Sequence, residues 1–197
     1  MNQQELESVL ANLNLSAIHF FDSIGSTNDE AMEWAKKGAR DLSLVVADEQ
    51  TMGRGRLDRP WFTPPRTALA FSLILRPTAA EKPLLSRTVG LAALALSDVL
   101  QTLNLDPQIK WPNDILLNGR KLAGILIEAT WFEEEAQSIV IGMGGDGSPA
   151  GTTMQLIDPA DGAIHDETYE VFVRRYTNVA VGEMEANQPF RAQIVHW

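Results

Sequence analysis

The chain has 197 residues, with 16 Lys and Arg against 26 Asp and Glu, a formal net charge of −10 and no Cys. That length suits one domain burying roughly 70% of its unfolded surface, and the missing Cys excludes disulfides, thiolate metal sites, redox pairs and cysteine nucleophiles. A hydrophobic content of 45% is globular, and the acidic balance argues against non-specific nucleic-acid binding.

The N-terminal residues carry no cationic stretch ahead of an apolar one, so no signal peptide is expected. The longest apolar run of helical character, residues 89–96, is short for a bilayer. The expectation is a cytoplasmic protein without a membrane partner. Apolar spacing at Leu6, Val9, Leu10 and Leu13 predicts a helix over residues 5–15. Residues 17–24 read as a strand. Ser26-Thr27-Asn28 offers N-cap chemistry for a helix that runs through Met32, Trp34 and Ala35 and stops at Gly38. Residues 42–47, LSLVVA, form a continuous apolar run and predict a strand buried on both faces. Residues 50–66 lack periodicity and predict a loop, followed by a strand over 67–75.

Residues 81–105 form the longest helical pattern, with Pro83 confined to its first turn because deeper it would cost about 3 kcal/mol. Residues 109–111 and 115–117 read as short extended pieces. Asn118-Gly119 is a type I′ hairpin signal, which pairs 115–117 with 121–129 and sets residues 116 and 121 opposite each other. A strand over 138–141 precedes a glycine-rich loop over 142–151. Residues 167–180 are weakly helical, and residues 190–195 suggest a last strand. The class implied is α+β, a mixed β-sheet with helices packed on one face.

Four segments carry candidate chemistry. Between residues 51 and 66 stand four Arg and one Asp, a local charge of +3 in an acidic chain. Gly53-Arg54-Gly55-Arg56, with Arg59, reads either as a phosphate-gripping loop, since Arg forks match phosphate and Gly admits close backbone approach, or as a solvated surface loop. Lys110-Trp111-Pro112-Asn113-Asp114 and Lys121 flank the hairpin. They supply either a cation at a pocket mouth beside Asp114, or ordinary turn residues. Ser26-Thr27-Asn28 reads as a helix cap, with ligand contact at a helix N-terminus as the functional alternative. The glycine loop from Gly142 is the weakest signal. His19, His165 and His196 share no ligand spacing, so no zinc site is expected and no metal ligand is assigned, and no P-loop, dinucleotide fingerprint or serine elbow is present.

In this order the motifs resemble the catalytic domain of biotin protein ligases over roughly residues 17–147. The resemblance rests on Asp22-Ser23 before Ser26-Thr27-Asn28, and on Asp48-Glu49-Gln50 leading into Gly53-Arg54-Gly55-Arg56, Arg59 and Trp61. It continues through Thr63-Pro64, Lys110-Trp111-Pro112-Asn113-Asp114 and Arg120-Lys121-Leu122-Ala123-Gly124-Ile125-Leu126-Ile127-Glu128. It implies a fold like that of class II aminoacyl-tRNA synthetases. It implies formation of biotinyl-5′-AMP from biotin and Mg²⁺-bound ATP, then transfer of biotin to a lysine of a carboxylase carrier domain. Lys121, Arg56 and Asp114 become the implied catalytic residues. Biotin contacts are implied for Ser26, Thr27, Asn28, Gln50, Gly53, Arg54, Gly55, Arg56, Lys121, Gly124 and Gly142. Nucleotide contacts are implied for Arg54, Arg56, Arg59, Trp61, Lys110, Asn113, Lys121 and Asp146. Trp61 and Trp111 resemble pocket walls. The alternative is a homologue that binds biotin or a related acyl ligand in a regulatory or binding role without ligating it.

Two departures from the family pattern stand out. The family's usual Asn is Asp146 here, which accepts from an adenine amino group but donates nothing to a ring nitrogen. Leu57-Asp58 replaces a small or basic pair. The expected layout is a ligase-like catalytic domain over 1–151 and an extension of it over 152–197. Neither a C-terminal β-barrel nor an N-terminal DNA-binding domain is legible, nucleic acid is not an expected partner, and the chain is expected to be a monomer or homodimer.

Overall fold

The computed structural model describes residues 2–66, 68–133, 135–145 and the strand at 193–195. The helix expected over 167–180, the loop expected over 146–151 with Asp146, and most of the 152–197 extension lie outside the described residues.

The first helix, α1 (Gln3–Val9), begins earlier than its apolar spacing suggests because Asn2 and Glu5 form a capping box: Glu5 N donates to Asn2 Oδ1 and Asn2 N to Glu5 Oε2. It also ends earlier, before a polar run with Asn12, Asn14 and Ser16, residues whose side chains compete for the backbone. Leu13 and Leu15 still pack on the core. Strand β1 (Ala17–Phe21) leads to helix α2 (Thr27–Lys36), with Ser26 as its N-cap. Gly38, at φ +91°, takes the left-handed position past the helix end. The Arg76 guanidinium closes the other orphan groups there, donating to Ala35 O at 2.6 Å and to Ala39 O at 2.8 Å.

Strands β2 (Ser43–Ala47) and β3 (Ala70–Leu75) follow. The stretch expected as one helix over 81–105 is a 3-10 segment, Lys82–Arg87, running into α3 (Thr88–Thr102), with Pro83 in the opening turn. Strands β4 (Pro107–Lys110), β5 (Asp114–Leu117), β6 (Arg120–Phe132), β7 (Glu135–Gly145) and β8 (Gln193–Val195) complete the described elements. The short extended pieces on either side of Trp111-Pro112-Asn113 form a hairpin of their own, pairing Lys110 with Asp114.

The strands make one eight-stranded mixed sheet in the order β1-β2-β3-β7-β6-β5-β4-β8. The β1–β2 and β4–β8 pairs are parallel and the others antiparallel. Helix coverage differs from expectation: the helices do not share one face. On one face α1 and α3 bring Leu6, Leu10, Leu96 and Leu100 against Leu44, Val46, Phe71, Leu73 and Ile141. On the other, Ala31 and Ala35 of α2 meet Val45, Ile74 and Val140. β2, apolar after Ser43 and buried throughout, requires this, since an interior strand with no exposed face must be covered twice.

Residues Lys82–Thr102 are long and apolar enough, by length and composition, to span a membrane, contrary to the expectation drawn from residues 89–96. Here Ala92, Leu96, Val99 and Leu100 of that segment are buried in the core.

The hairpin expected at Asn118-Gly119 forms, both residues having positive φ (52° and 74°). Leu116 lies opposite Lys121 as expected. A bulge then shifts the register, so Asp114 faces Gly124. The glycine-rich run expected to leave the sheet at 142 stays in it to Gly145, as the end of the central strand β7.

Candidate functional site

The N-terminus of α2 points at the middle of the sheet, where Ser72 of β3 and the glycine-rich ends of β6 and β7 meet. Ser26 Oγ accepts from Asp29 N at 3.4 Å, the capping contact the motif predicts. Thr27 and Asn28 are buried at the start of the helix. Thr27 donates to Gln50 Oε1 from its backbone N (2.8 Å) and from Oγ1 (3.0 Å). Gln50 Nε2 donates to Thr63 Oγ1 at 3.1 Å. Ser72 Oγ donates to Asn28 Oδ1 at 2.6 Å and lies 2.9 Å from Thr27 Oγ1. Asn28 Nδ2 donates to Glu128 Oε2 at 2.8 Å.

Ser26, Thr27, Asn28 and Gln50 thus come together as a pre-paired polar floor. Asn28 has both ends engaged within the protein, while Gln50 keeps an amide proton and Ser26 its hydroxyl proton for other partners. Ser72 went unmarked in the sequence and Thr63 stood only in the family motif without a role, although Ser72 is the one polar residue in AFSLIL and is fully buried. A lone hydroxyl in such a run implies a buried partner.

The floor carries glycine because two side chains lie on it. A Cβ on Gly142 would sit 2.0 Å from Asn28 Oδ1, and one on Gly144 would sit 2.3 Å from Trp61 Nε1. Gly124, across β6, would meet Trp61 at 3.1 Å and Lys121 Nζ at 3.3 Å. This close approach keeps Gly142–Gly145 in the strand where a glycine count suggested a loop. The Trp61 indole proton is buried without a hydrogen-bond partner among the described residues.

Residues 53–61 form a narrow loop whose base is paired. Trp61 N donates to Gly53 O and Gly55 N to Arg59 O, both at 2.8 Å, and Arg54 bridges Pro60. At the tip, Leu57 (φ 58°) and Asp58 (φ 54°) both adopt left-handed backbone, which bulky L-residues do at a cost of roughly 1–2 kcal/mol each.

The loop's arginines have different partners. Arg54 Nη2 donates to both oxygens of Glu128, at 2.8 and 2.9 Å, while Nη1 donates to Asp29 Oδ1. Burial pulls the Arg54 pKa down, but the hydrogen bonds to Glu128 and Asp29 more than reverse it, and the net shift is upward. Arg56 donates to Asn113 Oδ1 at 3.0 Å, joining the loop to the Trp111-Pro112-Asn113 turn. Asn113 is fixed in turn by Ile125, through Asn113 Nδ2 to Ile125 O and Ile125 N to Asn113 O. Arg59 and Lys110 are exposed and line the same cavity.

Lys121 Nζ lies 2.8 Å from Asp114 Oδ1 and 4.7 Å from the Trp61 ring centroid. Lys121 and Asp114 share one pocket mouth, brought together by the hairpin and its bulge. The cavity holds about 490 Å³ and is lined by the α2 N-terminus, the arginine loop, the Lys110–Asp114 hairpin, Lys121, Gly124, Gly142 and Gly144. That size suits a small organic ligand.

Every expected site residue among the described ones borders this cavity except Gly53, which packs behind it against Gln50 and Trp61. Asp146 lies outside the described residues. Among the described residues no cluster of three or more His, Asp or Glu side chains gathers at metal-binding distance, and Asp114 is paired with Lys121.

The model of the biotin/lipoate A/B protein ligase family matches residues 20–146. The bifunctional ligase/repressor BirA of Bacillus subtilis is 38% identical over 125 residues, which is 64% of this chain and 38% of that protein. A biotin–[acetyl-CoA-carboxylase] ligase of Paracoccus denitrificans is 42% identical over 123 residues, 60% of this chain and 50% of that protein. The chain thus spans half or less of the length of these relatives. In fold it resembles the biotin acetyl coenzyme A carboxylase synthetase of Helicobacter pylori solved with biotinylated ATP (TM-score 0.64, 23% identity, 84% of this chain and 74% of that one). It also resembles an Aquifex aeolicus biotin protein ligase solved with biotin and ATP (TM-score 0.60, 24% identity, 87% and 74%). With a family match over most of its length and the class II synthetase-like mixed sheet that such ligases share, the chain belongs to the biotin/lipoate A/B protein ligase family.

Proposed function

We propose that the chain carries the activating site of a biotin–protein ligase. The observation that carries this is the meeting, in one cavity of about 490 Å³, of a neutral polar floor and a cationic mouth. The neutral end is built from Ser26, Thr27 and Gln50. It suits a ureido group, whose carbonyl and N–H groups must all be paired once buried. The apolar body of biotin would lie along the glycine floor beside Trp61. Its carboxylate would then reach Lys121, with Arg56, Arg59 and Lys110 around the adjoining phosphates.

In the first step a carboxylate oxygen of biotin attacks the α-phosphorus of ATP. An O–P bond forms, the bond to the β-phosphate oxygen breaks, and pyrophosphate leaves. Negative charge builds on the oxygens around phosphorus, where Lys121 and Arg56 stabilise it. In the second step a carrier lysine amine attacks the acyl carbon, AMP leaves, and the amide nitrogen loses a proton. Asp114, freed from Lys121 as that cation engages phosphate, is the group suited to orient the amine. Magnesium would arrive on the nucleotide's phosphates, and Asp114 is the carboxylate of the cavity lining that could meet it. The acceptor is a carboxylase carrier domain, by likeness to the carboxylase ligase named above.

The test is to incubate the chain with labelled biotin, Mg-ATP and a carrier domain. Label on the carrier that is lost in Lys121→Ala supports ligation. Biotin binding by calorimetry without adenylate or carrier label overturns it and favours a binding protein that does not ligate.

A further inference from the structure

Glu128 is the last residue of the motif carried on β6 and has no expected role. Its carboxylate nevertheless accepts from two directions: Asn28 of the polar floor at 2.8 Å, and Arg54 Nη2, which reaches both oxygens at 2.8 and 2.9 Å. Arg54 and Glu128 are only about a quarter exposed (26% and 27%), where a charged pair is screened less than at the surface. Arg54 also reaches Asp29 in the first turn of α2. Its guanidinium is therefore engaged by two carboxylates, while Arg56 meets only a neutral amide in the contacts above.

Arg54 is the root of the loop. It bridges Pro60, and Trp61 N is bonded to Gly53 O, so holding Arg54 holds Trp61, whose indole rests over Gly144 and Gly124. We propose that Glu128 is a positioning residue that anchors the root of the arginine loop through Arg54, setting the Trp61 wall against the glycine floor while leaving the Arg56–Arg59 tip to meet phosphate. On this account Arg54 acts on the ligand through the loop it holds and does not grip phosphate itself. The anchor rests on geometry alone, and only its effect on the ligand rests on the biotin-ligase proposal.

Trypsin reads the anchor without any ligand. Arg59 precedes Pro60, so the tip is cut only after Arg56. Below its melting temperature, Glu128→Gln is expected to be cut at Arg56–Leu57 about fivefold faster than the unsubstituted chain. Cutting at the unsubstituted rate overturns the anchor. If Glu128→Gln does not fold, Arg54→Met releases the root from the loop side and should give the same acceleration.

Calorimetry with biotin alone reads the consequence. Glu128→Gln is expected to weaken binding about tenfold, and the double variant with Arg54→Met should be no weaker than Arg54→Met alone. Unchanged binding in Glu128→Gln with a much larger loss in Arg54→Met would place Arg54 on the ligand and overturn the proposal. Failure of the unsubstituted chain to bind biotin would defeat the ligase function instead, and the trypsin comparison would still decide the anchor.

Discussion

Lys121 is held by Asp114 at 2.8 Å and sits above the Trp61 ring, so a positive charge is stored at the pocket mouth before any substrate arrives. Lys121→Ala should cut pyrophosphate release roughly 10²–10³-fold, the scale of losing one preorganised donor at a developing charge, with biotin affinity far less affected. Gly142 and Gly144 show how little room the floor leaves. Gly142→Ala forces a methyl onto Asn28 and breaks its contacts, and should destabilise the fold by about 3 kcal/mol in urea titration. Gly144→Ala meets the movable Trp61 instead, so it should lower ligand affinity more than stability. The nearness of Lys121 and Asp114 was one of two readings of the Asn118-Gly119 turn, and their ion pair needed a bulge the turn did not announce. The contacts of Ser72, Thr63 and Glu128 were not readable, because each meets a residue brought near only by the fold.

Among elements, the clearest agreement lies in α2 and the β5–β6 hairpin, where capping and turn chemistry act within a few residues. Gly119→Ala, at φ 74°, should cost about 1 kcal/mol in thermal or urea unfolding. The start of the 3-10 segment before α3 depends on an exposed carboxylate. Glu81 accepts from Thr78 N and Oγ1, both at 2.7 Å, and these bonds hold its pKa below the ordinary glutamate value. Glu33 beside Lys36 and Glu135 beside Lys82 are lowered likewise. A depressed carboxylate contributes stability above its unfolded pKa and loses it as pH falls through the folded value. Melting temperature should therefore begin to fall as pH drops below the ordinary glutamate range, and Glu81→Gln should flatten part of that fall, by a small amount because the group is exposed. The glycine run 142–145 is the element the sequence misassigned. Glycine content is the same in a loop and in a strand crowded from above, and only Asn28 and Trp61, arriving from elsewhere, distinguish them.

For the whole molecule, a formal charge of −10 coexists with a cavity whose lining carries Arg54, Arg56, Arg59, Lys110 and Lys121. Attraction of a nucleotide to that mouth is screened by salt, whereas pairing of a neutral ureido group is not. Raising ionic strength should therefore raise the KM for ATP, with its several phosphate charges, more than it weakens biotin, whose single carboxylate meets Lys121, as steady-state kinetics and calorimetry can check. The sequence by itself determined the local parts: the capped α2, the type I′ turn and its register, the buried β2 and the cationic loop. Each is set by backbone propensity, apolar period or charge among near neighbours. Only the tertiary structure decided that helices cover both faces of the sheet, that the glycine run is the floor of the cavity, and that Arg54 is tied to Glu128. Those outcomes depend on contacts between residues 53 to 61, the start of α2 and strands β6 and β7, which become neighbours only when the sheet assembles.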